Sequence, residues 1–289
     1  MKRIVIDPGH GGWDPGAIAL DGVPEREFTW QLSGTLGDYL CDRYEVEVVY
    51  THRGADTALD PTGNQARELA ARSGVANAIN ADLLISIHHD NTGNPSVRGA
   101  SLWVWTNKNS PTGGLVWLPA TGNHTDPKTY PIAKAMVGRI RETLAALGIP
   151  WRDFGDPDGL ACSNFGILRN TRGPAVLIEC FHGSNREDVA IARRPEFIPA
   201  LARATGDAVA AALGLPARAM PGPFSDVPAD HWAAEAIARA KDMQIIAGHP
   251  DGTFGLGQPL KREEAVTMAT RLYDVIMAAV EQRMQGGNQ

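Results

Sequence analysis

Arg3-Ile4-Val5-Ile6-Asp7-Pro8-Gly9-His10-Gly11-Gly12 opens the chain and decides how the rest is read. Its apolar run, residues 4–6, has the character of a buried strand, and Pro8, Gly9, Gly11 and Gly12 then force a tight turn that carries His10. In an open parallel sheet ligands sit beyond the carboxyl ends of the strands, so the first strand delivers an imidazole where chemistry takes place. Two later runs end alike. Asp82-Leu83-Leu84-Ile85-Ser86-Ile87 stops at His88-His89-Asp90, and Pro174-Ala175-Val176-Leu177-Ile178 stops at Glu179. A single histidine after a strand is more often structural. Histidines and a carboxylate at three strand ends, with Glu25 opening the next amphipathic segment, form a donor set suited to zinc.

At 289 residues, 43% of them hydrophobic, the chain can build one main domain with a small appendage. Twenty-seven basic against 33 acidic residues give a net charge of −6, and no basic cluster is interleaved with aromatics. Nucleic acid is therefore excluded as a partner. No apolar run approaches the roughly 20 residues that cross a bilayer, which argues against membrane insertion. Met1-Lys2-Arg3 leads directly into the first strand, so no signal peptide is expected. Cys41, Cys162 and Cys180 lack paired spacing and fit a reducing compartment. Cys180 adjoins Glu179 and is a nucleophile candidate, although a cysteine closing a buried strand more often packs.

Pro24-Glu25 starts a helix whose apolar residues Phe28, Leu32, Leu36 and Leu40 recur every fourth position. The helix dipole alone accounts for an acid in that first turn, and Glu27 competes with Glu25 for any ligand role. Residues 45–50 read as a strand ending at Thr51-His52-Arg53. Residues 64–80 read as a helix that packs through Ala66, Leu69, Ala70, Ser73, Val75 and Ala76, with Arg67 and Arg72 outside the packed face. Strand, helix, strand, helix, strand with right-handed crossovers predicts an α/β fold, a twisted, mostly parallel sheet flanked by helices on both faces.

Beyond His88, residues 100–105 form a further strand, and residues 107–131 a long loop of the kind that is functional or mobile. Trp103, Trp105 and Trp117 either line a substrate groove or cover the sheet edge. Ile132, Met136, Ile140, Leu144 and Leu147 mark a helix ending at Gly148. A loop over 150–164, a short strand at 166–168, the strand ending at Glu179 and a helical region broken near Pro195 and Pro199 complete a domain of residues 1–213. Residues 214–223, rich in proline, read as a linker. Residues 224–289, two helices around a glycine turn, make a separate small module with a thin core.

Taken together, these motifs resemble the zinc-dependent N-acetylmuramoyl-L-alanine amidases, the type that includes bacterial autolysins and phage endolysins. Asp7-Pro8-Gly9-His10-Gly11-Gly12 and Pro15-Gly16-Ala17 match the family's first signature, and Glu25-Arg26 its acidic ligand with the basic residue that follows. Arg67 and Ala76-Asn77 fit the intervening helix, Ser86-Ile87-His88 the third signature, and residues 174–179 with Ser184-Asn185 the segment of the catalytic glutamate. The resemblance implies zinc held by His10, Glu25 and His88, Glu179 as catalytic residue, and peptidoglycan as substrate. His89-Asp90 stand where the family more often has a small residue and asparagine, so His89 remains an alternative to His88. Thr51-His52-Arg53 and Cys180-Phe181-His182-Gly183 also depart from the pattern.

The tail resembles an S-layer-homology module through Phe224-Ser225-Asp226-Val227, His231-Trp232-Ala233, residues 248–254 and Lys261-Arg262-Glu263-Glu264. It implies binding to a secondary cell-wall polymer, weakly for a single copy. The endolysin resemblance implies cytoplasmic accumulation followed by release to the wall, or an extracellular location if a leader is missing. The competing readings are another zinc hydrolase acting on stem peptides and a non-enzymatic wall-binding protein.

Overall fold

A seven-stranded sheet, ordered β2-β1-β3-β7-β4-β6-β5, organises the first of two compact units in the computed structural model. Residues 1–108, 118–218, 222–228 and 231–286 are described, and the two units are Met1–Arg218 and Ala219–Gln289. Along the first unit run β1 (Lys2–Pro8), α1 (Glu25–Arg43), β2 (Val46–Tyr50), α2 (Gln65–Ala78), β3 (Leu83–Asp90), β4 (Ser101–Trp105) and β5 (Leu118–Pro119). They are followed by α3 (Thr129–Leu147), β6 (Ala161–Ser163), α4 (Gly166–Asn170), β7 (Ala175–His182), α5 (Arg186–Ala192) and α6 (Phe197–Leu213). Strands β2, β1, β3 and β7 pair in parallel, as do β4 and β6; β4 runs antiparallel to β7, and β5 to β6.

Alternation along the strands sorts the side chains between two helical layers. Ile4, Ile6, Leu83, Ile85, Val176 and Ile178 share a core with Phe28, Leu32 and Leu36 of α1, Met136 and Ile140 of α3 and Leu201 of α6. Val5, Leu84, Trp103 and Leu177 face the other way, toward Ala76 of α2 and Ile167 and Leu168 of α4. Each fully buried aliphatic side chain contributes about 1.5–3 kcal/mol. The second layer is the thinner, and the residues that follow Leu84 and Leu177 on its side of the sheet are Ser86, His88 and Glu179.

Several expectations are corrected. Residues 166–168 form the start of helix α4, not a strand, because Phe165 serves as its N-cap and Ile167 and Leu168 bury against the sheet. Pro199 does not break the last helix; it lies in the first turn of α6, where a missing N–H leaves no helical bond unmade. The loop over 107–131 contains β5 and the start of α3, and that over 150–164 contains β6. Trp103 is 1% exposed and belongs to the second core rather than to a groove or an edge, Trp105 is half-buried, and Trp117 lies outside the described residues. Arg72 is not outside the packed face but buried. Cys180 packs in the larger core, where burial pushes its thiol well above the usual range, which argues against a nucleophile.

The second unit contains α7 (Ala234–Asp242) and α8 (Arg262–Gly286). Phe224, Val227, Ala234, Ile237 and Ile246 form its small core. The Asp226 carboxylate accepts the backbone N–H groups of Phe254, Gly255 and Leu256 at 2.6, 2.8 and 2.9 Å, tying the glycine turn to the unit's beginning. Among the described residues no helix is long and apolar enough to cross a membrane.

Candidate metal centre

The turn after β1 is held in an uncommon shape. His10 has φ 64°, a left-handed conformation that costs a non-glycine residue roughly 1–2 kcal/mol. The surroundings impose it. The Arg72 guanidinium donates to the carbonyls of Pro8, at 2.6 Å, and of His10, while the Thr29 hydroxyl from α1 donates to the Gly9 carbonyl at 2.7 Å. Arg26 donates to the Gly12 carbonyl. The basic residue beside Glu25 thus anchors the far side of the same turn.

Within this frame three donors converge. His10 donates through Nδ1 to the Asp14 carboxylate at 2.8 Å, and its Nε2 lies 3.1 Å from Glu25 Oε2. His88 Nδ1 lies 2.9 Å from Glu25 Oε1. The two imidazoles stand nearly perpendicular, 81° apart in plane with centroids separated by 4.9 Å. One ligand atom from each of His10, Glu25 and His88 lies within 4.8 Å of the others. Glu25, at the start of α1, also accepts the Ala17 and His89 backbone N–H groups, both at 3.0 Å, which fixes its carboxylate.

Two glycines make room for this. A Cβ on Gly9 would fall 2.5 Å from His88 Cε1, and one on Gly16 would fall 2.6 Å from His10 Cδ2 and 2.7 Å from Glu25 Cβ.

Electrostatics follow from the packing. Burial opposes charge on His10, but its hydrogen bonds to Asp14 and Glu25 prevail and raise its pKa to about 10. Burial likewise opposes ionisation of Glu25, yet the two histidines hold its pKa well below the usual range. The pocket therefore favours a carboxylate facing cationic character, and a metal ion there would displace protons. Two imidazole nitrogens and one carboxylate form the three-protein-ligand arrangement of catalytic zinc, and Asp14 provides the outer-shell partner that orients such a histidine. On this donor chemistry the residues fit zinc.

Glu179 completes the group. It sits on β7 with its Cα paired to that of His88 on one side and Ser101 on the other. Its Oε2 is shut from solvent and has no hydrogen-bond partner among the described residues. Burial, reinforced by the negative charges of Glu25 and Asp90, pushes its pKa well above the usual carboxylate range, with His10 and Arg152 opposing. Such a group holds its proton more readily than an ordinary glutamate.

Among the other candidates, Glu27 lies outside the cluster and approaches only Arg26, at 3.9 Å. His89 projects from the opposite side of β3, 2% exposed, with its ring centroid 4.6 Å from that of Phe181 and 6.2 Å from that of Phe28. Its Nε2 has no partner among the described residues, and burial lowers its pKa. We expect His89→Leu to retain metal and to gain stability by about 1 kcal/mol, because an unsatisfied buried nitrogen is removed. Metal analysis and urea unfolding check this; loss of metal would make His89 a ligand.

Sequence reading missed two supports. The first is Asp14, which pairs with His10 Nδ1 and which no motif or period marks in the sequence. Arg72 binds Glu68 at 2.7 Å and Asp7 at 3.3 Å, while Asp7 also accepts from Thr51 and Ser86, each at 2.7 Å. The four-residue spacing of Glu68 and Arg72 on a helix was the available signal.

Residues 4–211 match the family model for N-acetylmuramoyl-L-alanine amidase, and residues 223–266 match that for the S-layer homology domain. The chain belongs to the N-acetylmuramoyl-L-alanine amidase family, hydrolases of peptidoglycan in which zinc dependence is typical. It is 28% identical over 253 residues to the N-acetylmuramoyl-L-alanine amidase CwlM of Bacillus licheniformis, covering 85% of each chain. It is also 28% identical over 253 residues to the endolysin of Bacillus phage SPP1, covering 87% of this chain and 78% of that one. The catalytic domain of CwlV, an amidase from Bacillus (Paenibacillus) polymyxa, shares the fold with a TM-score of 0.58 at 24% identity, over 74% of this chain and 99% of that one.

Proposed function

We propose that His10, Glu25 and His88 hold zinc for hydrolysis of the amide between the lactyl group of N-acetylmuramic acid and L-alanine, with Glu179 carrying the proton. The observation that supports this most directly is that Glu179, on the strand position adjacent to His88, has a buried Oε2 with no hydrogen-bond partner among the described residues. Zinc, when bound, supplies Lewis acidity that polarises a carbonyl and acidifies water. Glu179 accepts the proton of the attacking water through its carboxylate and returns it to the departing amine. Its raised pKa favours the second half of that task, in which the carboxyl holds a proton to donate. Asp14 keeps His10 in the tautomer that points Nε2 inward. The backbone amides of Ala17 and His89 keep Glu25 ionised and aimed.

A zymogram with and without chelator, followed by mass analysis of the fragments, tests the reading. Chelator-sensitive clearing that leaves a new N-terminal L-alanine is expected; cleavage within the stem peptide would replace the amidase with a peptidase.

The catalytic domain extends past residue 213 to 218, because Leu215 joins its core and Ala217 bridges to Tyr44; residues 219–223 are left as linker, and 224–289 serve as a wall-targeting module that takes a secondary cell-wall polymer. The S-layer homology match supports the targeting role, and the phage SPP1 relative supports an endolysin that accumulates in the cytoplasm and reaches the wall once the membrane is breached. Truncation after Arg218, which keeps Leu215 in the core and the Arg218 N–H on the Arg43 carbonyl, is expected to preserve thermal midpoint and activity on soluble muropeptides while reducing wall pull-down. A truncated chain that aggregates, or that sediments with walls as well as the full chain does, would assign the tail a structural role instead.

A further inference from the structure

In strand order the donor cluster draws on the ends of β1 and β3, and Glu179 comes from β7. The next position belongs to Arg152, whose backbone N–H donates to the Ala100 carbonyl at 2.9 Å, just before β4. Its side chain turns back across β7 and donates through Nη1 to the Asp90 carboxylate at the end of β3, where Asp90 is paired with His182 of β7. The guanidinium also lies 5.0 Å from the centre of the Phe154 ring. Side-chain exposures of 14% for Arg152 and 17% for Asp90 leave the pair partly open to solvent. Asp90 stands where the family more often has asparagine, and in this chain its carboxylate supplies the anion of the pair.

Charge gives the arrangement its meaning. Carboxylates crowd this end of the sheet: the charges of Glu25 and Asp90 act on Glu179, and Asp14 pairs with His10. An anionic group of a substrate peptide entering there meets repulsion unless a cation is placed to receive it. Arg152 is close enough for its charge to act on Glu179. A guanidinium braced by a carboxylate and a ring face has given up much of its rotamer freedom beforehand, and its planar fork matches a carboxylate. We propose that Arg152, braced by Asp90 and Phe154, is a specificity-determining residue that receives a stem-peptide carboxylate on the L-alanine side of the scissile bond. The inference rests on the amidase reading of the same site.

The test uses the full-length, zinc-loaded chain and two soluble N-acetylmuramoyl-L-alanyl peptides. They differ only in whether the carboxylate of the residue after L-alanine is free or a carboxamide. The wild type is expected to favour the free acid by about tenfold or more in kcat/KM, the size of one charge-assisted contact, with the difference lying in KM. Arg152→Gln is expected to bring that ratio close to one, and Arg152→Lys to retain part of it. Because the ratio is taken within one sample, partial unfolding of a variant cancels. Asp90→Asn, which loosens the brace but keeps the cation, is expected to hold a preference for the acid. A wild type without preference, or an Arg152→Gln that lowers both substrates in proportion, overturns the proposal and makes Arg152 a strut for residues 150–160. A wild type that cleaves neither substrate sinks the amidase reading, and the proposal with it.

Discussion

Glu179→Gln is expected to keep wild-type metal content and to lose about 10²- to 10⁴-fold in turnover of a soluble muropeptide, the range typical of a lost general acid–base. The substitution preserves shape and removes the ability to ionise. Glu25 is held by His10, His88 and two backbone amides, so its placement does not depend on a hydrogen bond from Glu179. His10→Ala and His88→Ala, by contrast, each delete a converging nitrogen and are expected to lose metal and turnover together. Elemental analysis of the purified variants, run beside the kinetics, separates the roles. A Glu179→Gln chain devoid of metal would make the residue a ligand, and one with normal turnover would end its role in proton transfer.

The largest effect on stability is expected from Arg72→Met, about 3–5 kcal/mol by urea unfolding, the usual result of removing one partner from a buried ion pair. Arg72, Asp7 and Glu68 are 3%, 1% and 4% exposed, so the two carboxylates would be left without their cation in the interior. The same guanidinium satisfies the carbonyls of Pro8 and His10, so the strained turn would lose its brace as well. Arg72→Lys does not repair this, since one ammonium cannot span both carboxylates and both carbonyls. A loss below about 1 kcal/mol would mean that water enters and solvates the acids.

What could be read from sequence was whatever had a strong period or an abrupt stop. The apolar runs around Ile4–Ile6, Leu83–Ile87 and Val176–Ile178 end at chemically distinctive residues, and the fourfold spacing from Phe28 to Leu40 leaves α1 little choice. Short elements behaved differently. A run such as Gly166-Ile167-Leu168 has the composition of a strand and of a helical turn alike, and only packing beneath the sheet selects α4. Arg72 and Trp103 were misplaced for a related reason. A long polar or amphipathic side chain goes inside when partners wait there, and those partners, Asp7 and the Pro8 carbonyl for Arg72, come from a strand more than sixty residues away. The Asp90–Arg152 pair, also spanning about sixty residues, leaves no periodic trace at all.

Gly9 and Gly16, whose missing side chains accommodate the rings of His88 and His10, set the terms on which the site can change over evolutionary time. On the zinc reading, a histidine donor can be exchanged for another donor of suitable length. Alanine at either glycine instead puts a carbon inside the van der Waals envelope of a proposed donor residue, and at Gly16 of two at once, His10 and Glu25. The route by which this pocket could be retuned for a different metal or geometry therefore passes through the donors, while the two residues with no side chain form the fixed part of the mould.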